Sequence, residues 1–221
     1  MNAWLDFLLS DAYARSTLHA EHLADLQKSG LTDATIRVQR FRTIPPDMID
    51  RLLGFPAPQV RSAYLLPFPD PRGGFMDHIR LRVFPPYRDR HGSLVKYLGP
   101  RGAAPRVFFP LVSMEAVLHG TEPLWAVEGA KKSLAVAQLG LPAVGFEGIE
   151  AWHVGGTRAL LPDFDLVTLS GRVVELVPDG DVRTNPNVER GALRFADALD
   201  ARGARVRIVL LPVALRQGAA A

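Results

Sequence analysis

Cysteine is absent from all 221 residues of the chain. Its absence excludes a disulfide scaffold, a thiolate nucleophile and a cysteine-ligated zinc site. No run of about 18 apolar residues occurs, so the sequence predicts no membrane-spanning helix. The opening segment MNAWLDFLLSDAYAR carries Asp6 and Asp11 within its apolar run, unlike a secretory signal. We therefore expect a cytoplasmic protein with no membrane partner.

Two catalytic loop motifs are also missing. There is no Gly-x-x-x-x-Gly-Lys-Ser/Thr loop, so this chain is not itself an NTP-driven helicase. There is no Gly-x-Ser-x-Gly elbow, so serine hydrolysis has no support. None of the four tyrosines lies in a context typical of a topoisomerase nucleophile. These absences narrow the range of reactions that the chain could catalyse.

The composition is that of an ordinary globular protein, with 48% hydrophobic and 22% charged residues. This apolar content excludes disorder for most of the chain. Lysine and arginine number 26 against 23 acidic residues, a formal charge of +3 that weakly favours anionic partners. The segment from Arg72 to Arg106 is rich in basic residues, which are Arg72, Arg80, Arg82, Arg88, Arg90, Lys96, Arg101 and Arg106.

Three regions differ in their sequence pattern. Residues 1–54 show helical spacing and predict a helical N-terminal segment. Residues 55–120 are dense in proline and glycine and predict a small, basic, β-rich α+β subdomain. In residues 121–221, apolar runs alternate with amphipathic helices, which predicts an α/β domain with a parallel sheet flanked by helices. The predicted strands are residues 63–68, 78–84, 94–98, 107–109, 124–127, 143–146, 173–177 and 205–211.

Acidic side chains follow the predicted strands of the third region. Glu128 follows LWAV, and Asp179 and Asp181 follow VVELVP. Glu147 follows AVGF, where it is either part of the same group or a surface acid. Because the carboxyl ends of parallel strands meet at one edge, we expect these carboxylates to converge there. Such carboxylates repel one another unless a hard cation such as Mg²⁺ binds them.

The same residues carry a resemblance to a known family. VEGAKKS, followed about fifty residues later by VPDGDVRTNPNV and then by a strand ending in LLP, resembles the TOPRIM domain of bacterial-type primases, topoisomerases and some nucleases. Upstream, YLLPFPD, the Gly73-Gly74 turn, Arg80 and Lys96-Tyr97-Leu98 resemble the basic subdomain that precedes TOPRIM in bacterial replicative primases. HLADLQKSGLTDATI is similar to the lead-in of TOPRIM proteins encoded beside plasmid and phage helicases. The resemblance covers roughly residues 18–212.

The resemblance implies a TOPRIM-type sheet that carries out two-metal phosphoryl transfer with Mg²⁺ or Mn²⁺. Asp179 and Asp181 would be the main metal ligands. Glu128 would be a further ligand or would take the proton from the attacking 3′-hydroxyl. All three acids are thus predicted to be both catalytic and metal-binding.

Four basic residues complete the predicted site. Arg80, Lys96, Lys131 and Lys132 would hold phosphates of the nucleoside triphosphates or of the template. Lys131 and Lys132 open a predicted helix, where cations oppose the helix dipole, which favours a functional reason for their presence.

The implied function is that of a primase-type nucleotidyltransferase, which makes short primers on a single-stranded DNA template. The implied setting is a plasmid, a phage or another mobile element, with a replicative helicase as a candidate partner. Two alternatives stay open: a metal-dependent nuclease, and a degenerate TOPRIM module that only binds nucleic acid or a helicase. Ala130 stands where many relatives have a second glutamate, and the cysteine zinc module of replicative primases is absent.

Several polar and aromatic residues are predicted to have structural roles. Arg82 shares a strand face with Arg80 and is expected on a solvated surface. Asn185 and Asn187 are expected to cap the helix that begins near Pro186. Trp125 and Trp152 are expected in the core.

Overall fold

The computed structural model describes residues 3–180 and 182–211. The chain forms two compact units, of which the first ends at Ala104 and the second begins at Pro105. Each unit contains one four-stranded sheet.

The first unit is built on an antiparallel sheet with the strand order β1-β2-β3-β4. Its elements, in chain order, are α1 (Ala3–Arg15), α2 (Ala20–Lys28), α3 (Asp33–Val38), β1 (Arg42–Ile44), α4 (Pro46–Leu53), β2 (Ser62–Pro69), β3 (Phe75–Arg88) and β4 (Leu94–Leu98). The four helices occupy the segments predicted as helical, but β1 lies among them and is not predicted. Three residues are too few to display the alternation of a strand.

Helices cover both faces of this sheet. On one face, Leu8 of α1 and Met48 of α4 join a hydrophobic core with Leu65 and Leu81 of the sheet. Pro46 opens α4, and Gly54, with its left-handed backbone, ends it. The opposite face of the sheet contacts α2.

The contact with α2 overturns the prediction for Arg82. The Arg82 side chain is only 11% exposed, and its Nη2 lies 3.2 Å from Oδ1 of Asp25 in α2. Its guanidinium also packs against the rings of Phe84 and Tyr97, at 4.9 and 5.4 Å from their centroids. Alternation correctly places Arg82 opposite the core face, but α2 covers that position and supplies the counter-charge.

The second unit is built on a parallel sheet with the strand order β6-β5-β7-β8. Its elements are α5 (Met114–His119), β5 (Leu124–Glu128), α6 (Ala130–Ala137), β6 (Ala143–Phe146), β7 (Val173–Val177), α7 (Pro186–Asp200) and β8 (Arg205–Ile208), with short 3₁₀ turns at Leu111–Ser113 and Pro162–Leu166. This arrangement confirms the predicted mixed α/β class with a helix-flanked parallel sheet.

Two consecutive residues of β6 show that α6 and α7 cover opposite faces. A Cβ atom on Gly145 would lie 2.7 Å from Oγ of Ser133 in α6. The next ring, Phe146, meets Phe195 of α7 at a centroid distance of 5.2 Å. Because successive strand residues point to opposite faces, the two helices enclose the sheet between them.

The prediction of a strand at residues 107–109 in the small sheet is wrong. Phe108 instead forms an isolated antiparallel bridge with Gly145 of the second unit. The carboxylate of Asp163 fixes this segment, since it accepts hydrogen bonds from the Arg106 side chain and, at 2.9 Å, from the Val107 N–H. An apolar triplet indicates extended backbone but does not indicate which sheet it joins.

The remaining structural expectations are met in part. Trp152 is 2% exposed and lies in the core, whereas Trp125 is only half-buried. The Asn185 side chain caps α7 by accepting the Asn187 N–H at 3.1 Å. Asn187 is therefore not a cap itself, and its side chain accepts from Arg190. Throughout residues 3–180 and 182–211, no helix is both long and apolar enough to cross a bilayer.

Candidate active site

The topology of the second sheet creates one distinctive position. β6 lies on one side of β5 and β7 on the other, so the chain order reverses beside β5. In parallel sheets, ligands bind at the carboxyl ends of the strands where this reversal occurs. Val127 of β5 is in register with Val177 of β7, so both strands end at the same level. Glu128 ends β5, and Asp179 follows β7 by two residues, so both flank this position.

The structure brings Glu128 and Asp179 into direct contact. Oε2 of the half-buried Glu128 accepts a hydrogen bond of 2.7 Å from the backbone N–H of Asp179. Hydrogen bonds to a charged acceptor are stronger than those between neutral groups. This contact ties the loop that follows β7 to the end of β5.

Lys132 adds a positive charge to this contact. Gly129 joins β5 to α6 with a φ of +102°, a backbone conformation that disfavours a side chain. In the first turn of α6, the Lys132 ammonium forms an ion pair with the Asp179 carboxylate. Both side chains are about half exposed, at 55% and 47%, so this pair contributes little to stability. The ion pair places a cation against the Asp179 carboxylate.

The other predicted residues of the second unit lie near these elements or outside the described chain. Lys131 is half-buried in the same first turn of α6, as predicted. Glu147 directly follows β6 and is half-buried at the same edge of the sheet. Asp181 lies outside the described residues.

The two predicted basic residues of the first unit lie on neighbouring strands. Arg80 is half-buried on β3, and a Cβ atom on Gly99 would lie 3.1 Å from its Nη1 atom. Lys96 is exposed on β4. Both therefore belong to the antiparallel sheet.

A divalent cation suits the donor types at the carboxyl edge. Glu128 and Asp179 offer carboxylate oxygens, the ligands that Mg²⁺ and Mn²⁺ prefer. The ammonium of Lys132 already occupies a cation position on Asp179. Within the described part of the chain, no group of three or more acidic or histidine side chains is placed to hold a metal ion.

The second unit also contains a cleft that the sequence does not predict. A cleft of about 480 Å³ lies between α7 and the segment that follows β6, lined by Trp152, His153, Arg158 and Arg194 among others. Glu150 in the cleft pairs with Arg194 and lies 3.6 Å from Nε2 of His153. No sequence signal predicts it, because its two walls are about forty residues apart.

Comparison with known proteins shows a likeness in fold. A family model described as a domain of unknown function (DUF3854) matches residues 115–219. The sequence has no match among curated proteins. The crystal structure of the Aquifex aeolicus primase, comprising its zinc-binding and RNA polymerase domains, is similar with a TM-score of 0.60 and 18% sequence identity. The similarity covers 94% of this chain and 54% of that one, so this chain spans about half of that structure. The chain thus has a primase-like fold.

Proposed function

We propose that this chain, with its primase-like fold, is the catalytic core of a primase-type nucleotidyltransferase and that its second unit is of the TOPRIM type. Its reaction is the synthesis of short primers from nucleoside triphosphates on single-stranded DNA. The observation that carries the proposal is the meeting of Glu128 and Asp179 where the strand order reverses. The likeness in fold to a bacterial primase supports the reaction class.

The acidic residues supply the metal-binding and proton-accepting groups. Asp179, Asp181 and Glu128 would hold Mg²⁺ or Mn²⁺, which stabilises the charge that develops during in-line phosphoryl transfer. Glu128 either shares in this binding or accepts the proton of the attacking 3′-hydroxyl. Through the Asp179 N–H, Glu128 also fixes where the loop after β7 begins.

The basic residues bind phosphates in this proposal. Lys131 and Lys132 lie beside the acidic edge and would hold the triphosphate. Arg80 and Lys96 in the antiparallel sheet would bind phosphates of the template or of the triphosphate. A plasmid, phage or other mobile element as the setting, and a replicative helicase as a partner, belong to the same proposal through the resemblance of the lead-in sequence.

A primer-synthesis assay tests this function. Labelled nucleotides are incubated with the chain, a single-stranded DNA template and Mg²⁺ or Mn²⁺, and products are resolved by length. We expect template-dependent products from the wild type and from Asp165→Asn, an exposed acid of the same unit that pairs with Arg202. We expect none from Asp179→Asn. Absence of product from the wild type, or equal product from Asp179→Asn, contradicts the proposal.

The same reactions separate the alternatives. Metal-dependent cleavage of the template without incorporation would instead identify a nuclease. DNA binding that survives both chelation and the triple change of Glu128, Asp179 and Asp181 to amides, with no product from the wild type, would identify a binding module.

A further inference from the structure

Two arginines of the first unit share one aromatic ring. Arg40 follows α3, and Arg42 begins β1. Their guanidinium carbons lie 5.1 and 5.2 Å from the centroid of the Tyr13 ring in α1, so they are at most about 10 Å apart. The Arg40 guanidinium also lies 5.3 Å from the ring centroid of Phe75. The Tyr13 ring thus contacts both positive charges.

No acidic side chain among the described residues forms an ion pair with either arginine. The Nε of Arg42 is buried and has no hydrogen-bond partner within the described chain. An unpartnered buried donor is unfavourable, and more so on a cation. Within the described residues, the two cations therefore contact aromatic rings but no anionic side chain.

Tyr13 does not supply that anion. Its hydroxyl donates a hydrogen bond of 2.7 Å to the carbonyl oxygen of Arg40. Burial raises the pKa of Tyr13 to about 12, although the nearby charges of Arg40 and Arg42 act to lower it. The phenol is therefore neutral at physiological pH.

The backbone at Arg40 is strained. Among the described residues, Arg40 alone has a positive φ, +61°, without being glycine. Arg40 directly follows Gln39, the C-terminal cap of α3. The residue after a helix cap is usually glycine, because glycine adopts the left-handed conformation freely. An arginine at this position therefore carries a conformational cost that helix termination does not require, and strain of this kind occurs most often at functional sites.

We infer that Arg40 and Arg42 form a subsite for the phosphate backbone of a single-stranded nucleic acid. The planar guanidinium donates paired hydrogen bonds to phosphate oxygens, and a strand presents such phosphates in series. Arg40 packs against one face of the Tyr13 ring and one face of the Phe75 ring, so bases do not stack on those faces. The contact with the nucleic acid is therefore ionic and independent of base sequence. The nucleic acid as ligand rests on the proposed function, whereas the anion site rests on the geometry alone.

The test measures DNA binding without catalysis. Binding of a fluorescent oligothymidylate is followed by anisotropy over a range of salt concentrations in EDTA. Arg40→Gly and Arg42→Gln are compared with the wild type. The matched control is Arg61→Ala, which removes an exposed arginine of the same unit whose side chain makes no hydrogen bond, ion pair or ring contact with the described residues. Arg40→Gly suits the backbone at its position, so the variant is expected to fold, and a thermal melt verifies this.

We expect each of the two variants to weaken binding about tenfold at low salt and to reduce the slope of log K against log salt by about 0.7, the value for one phosphate contact on a single strand. Arg61→Ala should change the slope by much less. Unchanged slopes for Arg40→Gly and Arg42→Gln, or an equal change for Arg61→Ala, overturn the inference.

Competition with a nucleoside triphosphate and with inorganic phosphate identifies the source of the phosphate. If the two variants weaken nucleotide binding but leave oligothymidylate binding intact, the subsite serves a nucleotide and the nucleic-acid assignment is wrong. Because this assay contains no metal, wild-type chain that binds DNA through these arginines but makes no primer would refute only the proposed function.

Discussion

Glu128 has a structural role, as the acceptor of the hydrogen bond from the Asp179 N–H, and a proposed chemical role in metal binding or proton transfer. Two substitutions of Glu128 separate these roles. Glu128→Ala leaves the Asp179 N–H without its acceptor at 2.7 Å, and an unsatisfied buried donor costs about 1–3 kcal/mol. Asp179 is about half exposed, so water partly replaces the acceptor. We therefore expect a loss of about 1–1.5 kcal/mol in the free energy of unfolding. Glu128→Gln keeps a carbonyl acceptor and should lose less than about 0.5 kcal/mol.

Urea unfolding of the full chain measures these differences, with the exposed Glu115→Ala of the same unit as a control that should stay within about 0.5 kcal/mol of the wild type. Primer synthesis should be lost in both Glu128 variants, because neither an amide nor a methyl group accepts the proton or carries the negative charge. Equal destabilisation by the Gln and Ala variants, or full stability of Glu128→Ala, would refute the reasoning.

Four further changes test other parts of the structure. Gly145→Ala should lower stability by about 1–3 kcal/mol in urea unfolding, because its Cβ would lie 2.7 Å from Oγ of Ser133; an unchanged midpoint would argue against this packing. Asp163→Ala removes the buried carboxylate that accepts hydrogen bonds from the Arg106 side chain and the Val107 N–H, and it should cost about 3 kcal/mol, whereas exposed Asp165→Asn should cost under about 0.5 kcal/mol; similar losses would contradict the burial of Asp163. Burial lowers the pKa of His22, so the folded chain binds fewer protons than the unfolded one and stability falls as the pH drops below about 6.5. His22→Gln should flatten this dependence between about pH 6.5 and 5, and an unaltered slope would rule the assignment out. Lys132→Ala should bind Mn²⁺ more tightly, because its ammonium no longer competes for Asp179; weaker binding would show that Lys132 does not compete.

The acidic edge of the second sheet is the part that local sequence reveals best. β6 and β7 begin and end at the predicted residues, and β5 extends one residue further, to Glu128. Short apolar runs bounded by glycine and proline define such strands, and parallel topology then places their carboxyl ends together. The proximity of Glu128 and Asp179 follows from these two facts without any knowledge of side-chain contacts.

The contacts that join distant segments are not visible in the sequence. Arg82 has the alternation of a solvated strand residue, and its partner Asp25 lies 57 residues earlier on a helix that covers that face. Phe108 belongs to an apolar triplet that any sheet edge could accept. The hydrogen bond from the Asp179 N–H depends on the path of a loop, which residue types alone do not determine.

The pair formed by Arg40 and Arg42 is hidden for a different reason. Tyr13 lies in α1, Arg40 follows α3 and Arg42 begins β1. None of these three segments has a recognisable motif. The one local signal is the placement of Arg40 after a helix, where glycine is expected. This signal can be recognised only when the exact residue at which α3 ends is known.

The central claim is that the carboxylates of Glu128 and Asp179 hold a divalent cation at the edge of the parallel sheet. Titration with Mn²⁺, followed by electron paramagnetic resonance of the free ion, measures this binding directly. Wild type and Asp165→Asn should bind Mn²⁺ alike, and Asp179→Asn should lose that binding. Equal binding by wild type and Asp179→Asn would contradict the account.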